Sequence, residues 1–156
     1  MKLPLITYPT KSLQQKSTRV DDVSSVQELC SDMIETMLAE KGIGLAAVQI
    51  GKNIRLAIIN KDADESLDDH LIIINPKIFS ASKEMTKEEE GCLSIPGVEG
   101  IVPRHKKIKM RYLDKDGNEQ KIKATNIFAR VVQHEIDHIN GILLIARATE
   151  ITKGKI

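Results

Sequence analysis

The sequence has no tryptophan and only two tyrosines and two phenylalanines. With so few aromatics, its core must be filled by Ile, Leu, Val, Met and Ala. It has almost no charge excess: 23 Lys and Arg against 22 Asp and Glu leave +1 at pH 7. That balance advertises neither nucleic acid nor an anionic membrane as a direct partner. No apolar run approaches the roughly 18 residues that span a bilayer. The first residues, MKLPLITYPTK, are broken by Pro4 and Pro9 and lack the apolar stretch of a secretory signal. The expected compartment is the cytoplasm. Cysteine occurs only at Cys30 and Cys92, too few for a disulfide framework in such a chain. Repeats, low-complexity segments and linkers are absent. At 156 residues, with 41% hydrophobic and 29% charged, the proportions suit one globular domain over residues 1–156.

Histidine is also scarce, with four in the chain, and two of them fall in Gln133-His134-Glu135-Ile136-Asp137-His138. Residues four apart share one face of a helix, so His134 and His138 can grip one metal ion from successive turns. Glu135 then stands where it can reach a water on that ion, the HExxH arrangement of metal-dependent hydrolases. The competing reading is an amphipathic helix with two accidental histidines. The motif points to a metal without choosing a reaction.

A catalytic ion needs a third protein ligand. In the HExxHxxGxxH proteases it comes six residues after the second histidine, where this chain has Leu144, which cannot bind a metal. Other proteases use a downstream glutamate, and the only one after His138 is Glu150, close by and near the end. Upstream, Glu90-Gly91-Cys92-Leu93-Ser94-Ile95-Pro96-Gly97 offers a thiolate, a strong ligand for zinc or ferrous iron. An inert buried cysteine is the alternative for Cys92, and it is the reading for Cys30, which fits a helix core face. Gln49 is the one polar side chain in the glycine-containing segment Gly42–Gly51. A buried amide needs partners, and a substrate oxygen can be one. A plain structural turn explains the glycines equally well.

Along the chain, residues 1–20 read as an extended arm. Residues 22–40 read as an amphipathic helix with a Ser25/Glu28 capping box, ended by Gly42. Strands are expected at Arg55–Asn60, at Leu71–Asn75 up to Pro76 with Lys77–Phe79 beyond a kink, and at Met85–Glu90. Ile101–Arg104 reads as a short extended piece. Ile108–Leu113 and Glu119–Ala124 form a hairpin about Asp114–Gly117. Thr125 or Asn126 caps the last helix, which Asn140-Gly141 ends. Ile142–Ile145 reads as a closing strand or packed tail, and Thr149–Ile156 as frayed. His70 and His105 read as surface residues. The fold class is α+β: mixed or antiparallel strands packed around a central metal-binding helix, with one helix in the N-terminal half.

Three segments together, Gly42-Ile43-Gly44-Leu45-Ala46-Ala47-Val48-Gln49, Glu90-Gly91-Cys92-Leu93-Ser94 and Gln133-His134-Glu135-Ile136-Asp137-His138, resemble the GxGLAAxQ, EGCLS and QHExDH signatures of peptide deformylase, in the family's order. The resemblance implies removal of the formyl group from the N-terminal formylmethionine of new polypeptides, giving formate and a free amine. It implies Cys92, His134 and His138 as metal ligands and Glu135 as general base and acid, acting on a metal-bound water. Gln49 and the Leu93 N–H would face the substrate oxygen. The ion would be Fe2+, with Zn2+, Ni2+ or Co2+ also accepted. N-formylmethionyl nascent peptides are the implied substrate, and the ribosome is a further candidate partner.

Ile43, Gly44, Leu45, Ile127 and Val131 are candidates for the methionine pocket, with ordinary core packing as the competing reading. Arg104 can pair with Glu90 or Asp137 to brace the metal segments, or stand exposed. Val48 departs from the proline common at its position, and many bacterial members continue into a C-terminal helix beyond the point where this chain ends. Two other classes stay open: a structural metal domain that binds peptides, which would want a fourth protein ligand, and an HExxH endoprotease, which lacks its usual third ligand.

Overall fold

The computed structural model describes residues 1–156. An arm with a 3-10 turn at Lys11–Gln14 leads to a second one, Val23–Val26, which runs into α1, Gln27–Ala39. The short strand β1 (Gly44–Ala46) and a 3-10 turn (Ala47–Ile50) follow, then β2 (Leu56–Ile59) and β3 (Leu71–Ala81). Next come β4 (Met85–Cys92), β5 (Ile95–His105), β6 (Lys107–Leu113) and β7 (Glu119–Thr125). They lead into α2 (Asn126–Ile139), the one-turn helix α3 (Leu144–Arg147) and β8 (Glu150–Lys153). The strands form two antiparallel sheets, β1-β2-β3-β6-β7 and β4-β5-β8. The class is α+β, and no helix is long and apolar enough to cross a membrane.

The larger sheet has a helix on each face. On one face Ala57, Ile59 and Ile73 pack with Phe128, Val132 and Ile136 of α2. On the other, Leu56, Ile58 and Ile74 pack with Cys30, Met33 and Met37 of α1. β2 is therefore buried on both sides, which is why Leu56-Ala57-Ile58-Ile59 is apolar without alternation. Further along the sheet α1 no longer reaches. There β6 alternates, with Ile108, Met110 and Tyr112 buried against Lys107, Lys109 and Arg111 exposed.

Several boundaries differ from the sequence expectations. α1 starts later than residue 22, and no capping box forms at Ser25. Instead the Asp22 side chain accepts the Ser24 N–H at 3.0 Å and caps the preceding 3-10 turn. β3 passes through Pro76 by a bulge between Ile74 and Lys77. Asn75 takes a positive φ of 50° there, and its amide bonds the Val20 N–H and C=O, each at 2.9 Å. β5 runs eleven residues, not four. Pro96, Gly97 and Gly100 look like turn residues, yet Gly100 sits inside the strand because β8 passes close: a Cβ there would stand 2.9 Å from the Glu150 carbonyl oxygen. The tail expected to fray is thus a paired strand. Residues 142–145 are no strand: the chain turns helically, burying Leu143 and Leu144.

Beyond the end of α2 the chain turns at Gly141, whose φ is 77° and where a Cβ would lie 2.7 Å from the Gln14 carbonyl oxygen. Gly141→Ala combines left-handed strain with a backbone clash. It is expected to lower unfolding free energy by about 1–3 kcal/mol, read as a lower urea midpoint at unchanged m-value.

Candidate metal centre

α2 carries the strongest amphipathic pattern in the chain; it presents Arg130, His134 and Glu135 to the cleft, with His138 buried one turn beyond His134. The His134 and His138 Nε2 atoms stand 3.1 Å apart. The thiol of Cys92, at the end of β4, lies 3.3 Å from His138 Nε2. All three donor atoms fall within 4.8 Å of one another. A tetrahedral ion with bonds of about 2.0–2.3 Å separates its ligand atoms by about 3.3–3.6 Å, so the set fits a zinc- or iron-sized cation with little adjustment. Two imidazole nitrogens so close cannot both carry protons, and a shared cation removes that conflict. No other His, Cys, Asp or Glu joins the group. Leu144 is buried in the core and Glu150 lies on β8, so neither serves as a ligand.

His134 is oriented from behind. Its Nδ1 lies 2.9 Å from Glu90 Oε1, which puts the proton on Nδ1 and leaves the Nε2 lone pair for the metal. His138 Nδ1 is buried and finds no protein partner. Glu90 also accepts from Arg104 Nε and Nη2, each at 2.9 Å, and from Arg130 Nη1 at 2.6 Å. Burial alone would raise the Glu90 carboxyl, but the Arg104 guanidinium and His134 more than offset it and hold it well below the usual carboxylate range. Arg104 reaches on through Nη1 to Asp137 Oδ2 at 2.6 Å, and Arg147 grips the same carboxylate with Nε and Nη2, both at 3.0 Å. Arg104 is only 3% exposed, so this is a buried ionic network and not a surface pair.

Glu135 is different. It is 2% exposed, and its carboxyl takes no hydrogen bond from the protein. It rests against the backbone of Gly44, where a Cβ would stand 2.9–3.0 Å from its Oε2, Cδ and Cγ. Burial pushes this carboxyl up to about 7, with His134 pulling the other way. Such a group can take and return a proton near neutrality.

Gln49 sits on the 3-10 turn after β1 and is fully enclosed. Its carbonyl oxygen accepts the Ala46 N–H at 2.9 Å, which turns the NH2 toward the metal ligands. One N–H reaches Ser94 Oγ at 3.1 Å, and the nitrogen stands 3.7 Å from Cys92 Sγ. The Leu93 N–H, in the turn between β4 and β5, has no protein acceptor.

The cleft in front of these groups measures about 840 Å³. Gly44, Ile43, Ile127 and Val131 line it, together with Leu93 and Leu5. Leu45 does not. On a strand neighbouring side chains point to opposite faces, and with Gly44 against Glu135, Leu45 turns into the α1 core. The sequence reading also missed Arg130, Arg147 and Ser94. Arg130 stands four residues before His134, so helical spacing could have found it. Arg147 had no signal, because it reaches Asp137 only through the unexpected turn of α3.

The family model for polypeptide deformylase matches residues 2–154. The peptide deformylase of Brachyspira hyodysenteriae is 43% identical, over 97% of this chain and 83% of that relative. Among solved structures, the peptide deformylase from Ehrlichia chaffeensis in complex with actinonin has a TM-score of 0.89 at 41% identity, covering 95% of this chain and 89% of that one. The peptide deformylase from Thermotoga maritima has a TM-score of 0.90 at 31% identity, covering 96% and 99%.

Removing Arg104 would leave two buried carboxylates short of a counter-charge. Arg104→Ala is expected to cost about 3–5 kcal/mol of stability and to weaken metal binding by roughly 10–100-fold. Chemical denaturation and metal retention against a chelator measure the two effects separately.

Proposed function

The chain belongs to the polypeptide deformylase family, metal-dependent hydrolases that take the formyl group from the N-terminal formylmethionine of polypeptides, and on that premise we propose a role for each residue of its centre. Cys92, His134 and His138 hold one divalent ion. The observation carrying this reading is the convergence of three donor atoms beside a buried carboxylate that has no protein partner. When bound, the ion supplies Lewis-acid chemistry, polarising a carbonyl oxygen and making water nucleophilic near neutral pH.

Glu135 takes a proton from the water whose oxygen adds to the formyl carbon. It returns that proton to the amide nitrogen as the C–N bond breaks. One water and one formamide become formate and an amine, and the carboxylate ends as it began. The Gln49 N–H that faces Cys92 Sγ and the N–H of Leu93 donate to the carbonyl oxygen as it gains charge. Ile43, Ile127 and Val131, with Leu93, wall the space assigned to the methionine side chain. Gly44 serves through the side chain it lacks, leaving room for Glu135. Glu90, Arg104 and Asp137 hold the ligand segments in register.

Ferrous iron is the native metal in this reading, and a thiolate with two imidazoles also suits zinc, nickel or cobalt. Residues 1–156 act as one catalytic unit. Its substrates are nascent chains in the cytoplasm, which makes the ribosome a further partner. A structural metal site would want a fourth protein ligand, and none stands near the three.

The test is formate release from a formyl-methionyl peptide by protein purified without oxygen and assayed for metal. Rapid release with about one metal per chain is expected; metal-loaded, folded protein that releases none would sink the assignment. Glu135→Gln should retain metal and lose roughly 10²–10⁴-fold in kcat. Gln49→Ala should lose roughly 10²–10³-fold in kcat; a rise in KM alone would make Gln49 a positioning group. Activity of the iron form should fade in air as Cys92 oxidises, and activity unchanged by long aeration would assign another metal.

A further inference from the structure

The face of the larger sheet that α1 covers continues past that helix, and its open part is built from cations. Arg111 pairs directly with Lys121 on β7 and with Lys77 on β3, so three positive side chains stand in one row across three strands. Two residues along, Lys109 pairs with Lys123, and Lys107 follows on the same face. All six are exposed, and none has a carboxylate within ion-pair distance. The acidic residues of this hairpin gather at its tip instead. Asp114 there is occupied by the N–H groups of Asp116 and Asn118 and by the Gln120 amide.

Like charges directly opposite one another weaken a strand pair. Lysines on an edge strand have an ordinary purpose, blocking the addition of further strands. That explains Lys121 and Lys123 on β7, which is the edge. It does not explain Lys77, Lys107, Lys109 and Arg111, which lie on inner strands. The chain as a whole carries only +1, so this face concentrates charge that the rest of the molecule balances. Phe79, 44% exposed, stands among the lysines with the Arg111 guanidinium 5.7 Å from its ring centre. An aromatic ring and an arginine plane set in a field of lysines are the two elements of single-stranded nucleic-acid recognition: stacking for a base, cations for the phosphates. A membrane-binding surface would instead carry a row of protruding apolar anchors, which this face lacks.

We infer that the outer face of β3, β6 and β7 is a docking surface for RNA with unpaired bases, the six cations tracking the phosphates and Phe79 with Arg111 stacking on a base. None of these residues lines the metal cleft, so docking leaves the cleft open and is independent of the catalytic roles assigned above.

The experiment is a titration of a labelled RNA stem-loop with the metal-loaded protein, followed by fluorescence anisotropy over a salt series. Six contacts to a single strand predict a log–log salt slope of about −4, at about 0.7 per contact. Lys109→Gln with Lys123→Gln should make the slope shallower by about 1.4, while Lys109→Arg with Lys123→Arg should preserve it. Lys11→Gln with Lys52→Gln, exposed cations elsewhere, should leave it unchanged. Turnover of a formyl-methionyl peptide should be the same in every variant, which checks the fold. If the double variant loses turnover, each single Gln variant must still cut the slope by about 0.7. Failure to bind RNA at low salt overturns the proposal, as does equal weakening by the Lys11 and Lys52 pair. Binding to phosphatidylserine vesicles without binding to RNA would overturn it in favour of a lipid surface.

Discussion

The Glu90 carboxylate is the constraint on which the rest of this structure depends. It comes from β4, and it accepts four hydrogen bonds: two from Arg104 on β5, and one each from Arg130 and His134 on α2. It therefore joins the smaller sheet to the metal-binding helix through charge, at the place where the donor atoms must meet. An apolar contact could hold the sheet and helix together equally well. It could not set the ring orientation of His134, because that needs an acceptor at Nδ1. The ionic network is thus less a source of stability than a means of fixing one arrangement, and Arg104 and Arg147 extend it to Asp137 on the next turn of α2.

Around that anchor the centre divides into held and unheld groups. His134 is fixed by Glu90, and Gln49 by the Ala46 N–H and Ser94. Glu135 is held by packing alone, between α2 and the bare backbone of Gly44. The contrast matches the chemistry: ligands and donors must stay still, while a carboxylate that carries a proton from one atom to another must turn.

Much of this was legible in the sequence for physical reasons. His134 and His138 at helical spacing, the alternation of β6, and the turn about Asp114–Gly117 are local patterns, and local patterns survive folding. Elements that exist only through a distant partner were not legible. β5 was legible only as the short piece Ile101–Arg104, because Gly100 answers to the approach of β8, fifty residues away in sequence. β8 looked like a tail because its short polar strand is stabilised by pairing, not by a buried face. Leu45 was drawn into the pocket by its neighbours, although the strand period turns it into the core. The net charge of +1 concealed where charges sit, since a sum cannot show that six cations share one face.

Gly44 and Glu135 stand ninety-one positions apart in the chain, yet they divide one small volume between them. A side chain at 44 would press on the end of the Glu135 side chain and turn the acid aside, and a shorter acid would leave the space empty. For a lineage carrying this fold the two positions are coupled, so a change at 44 is tested first by where it leaves the Glu135 carboxylate.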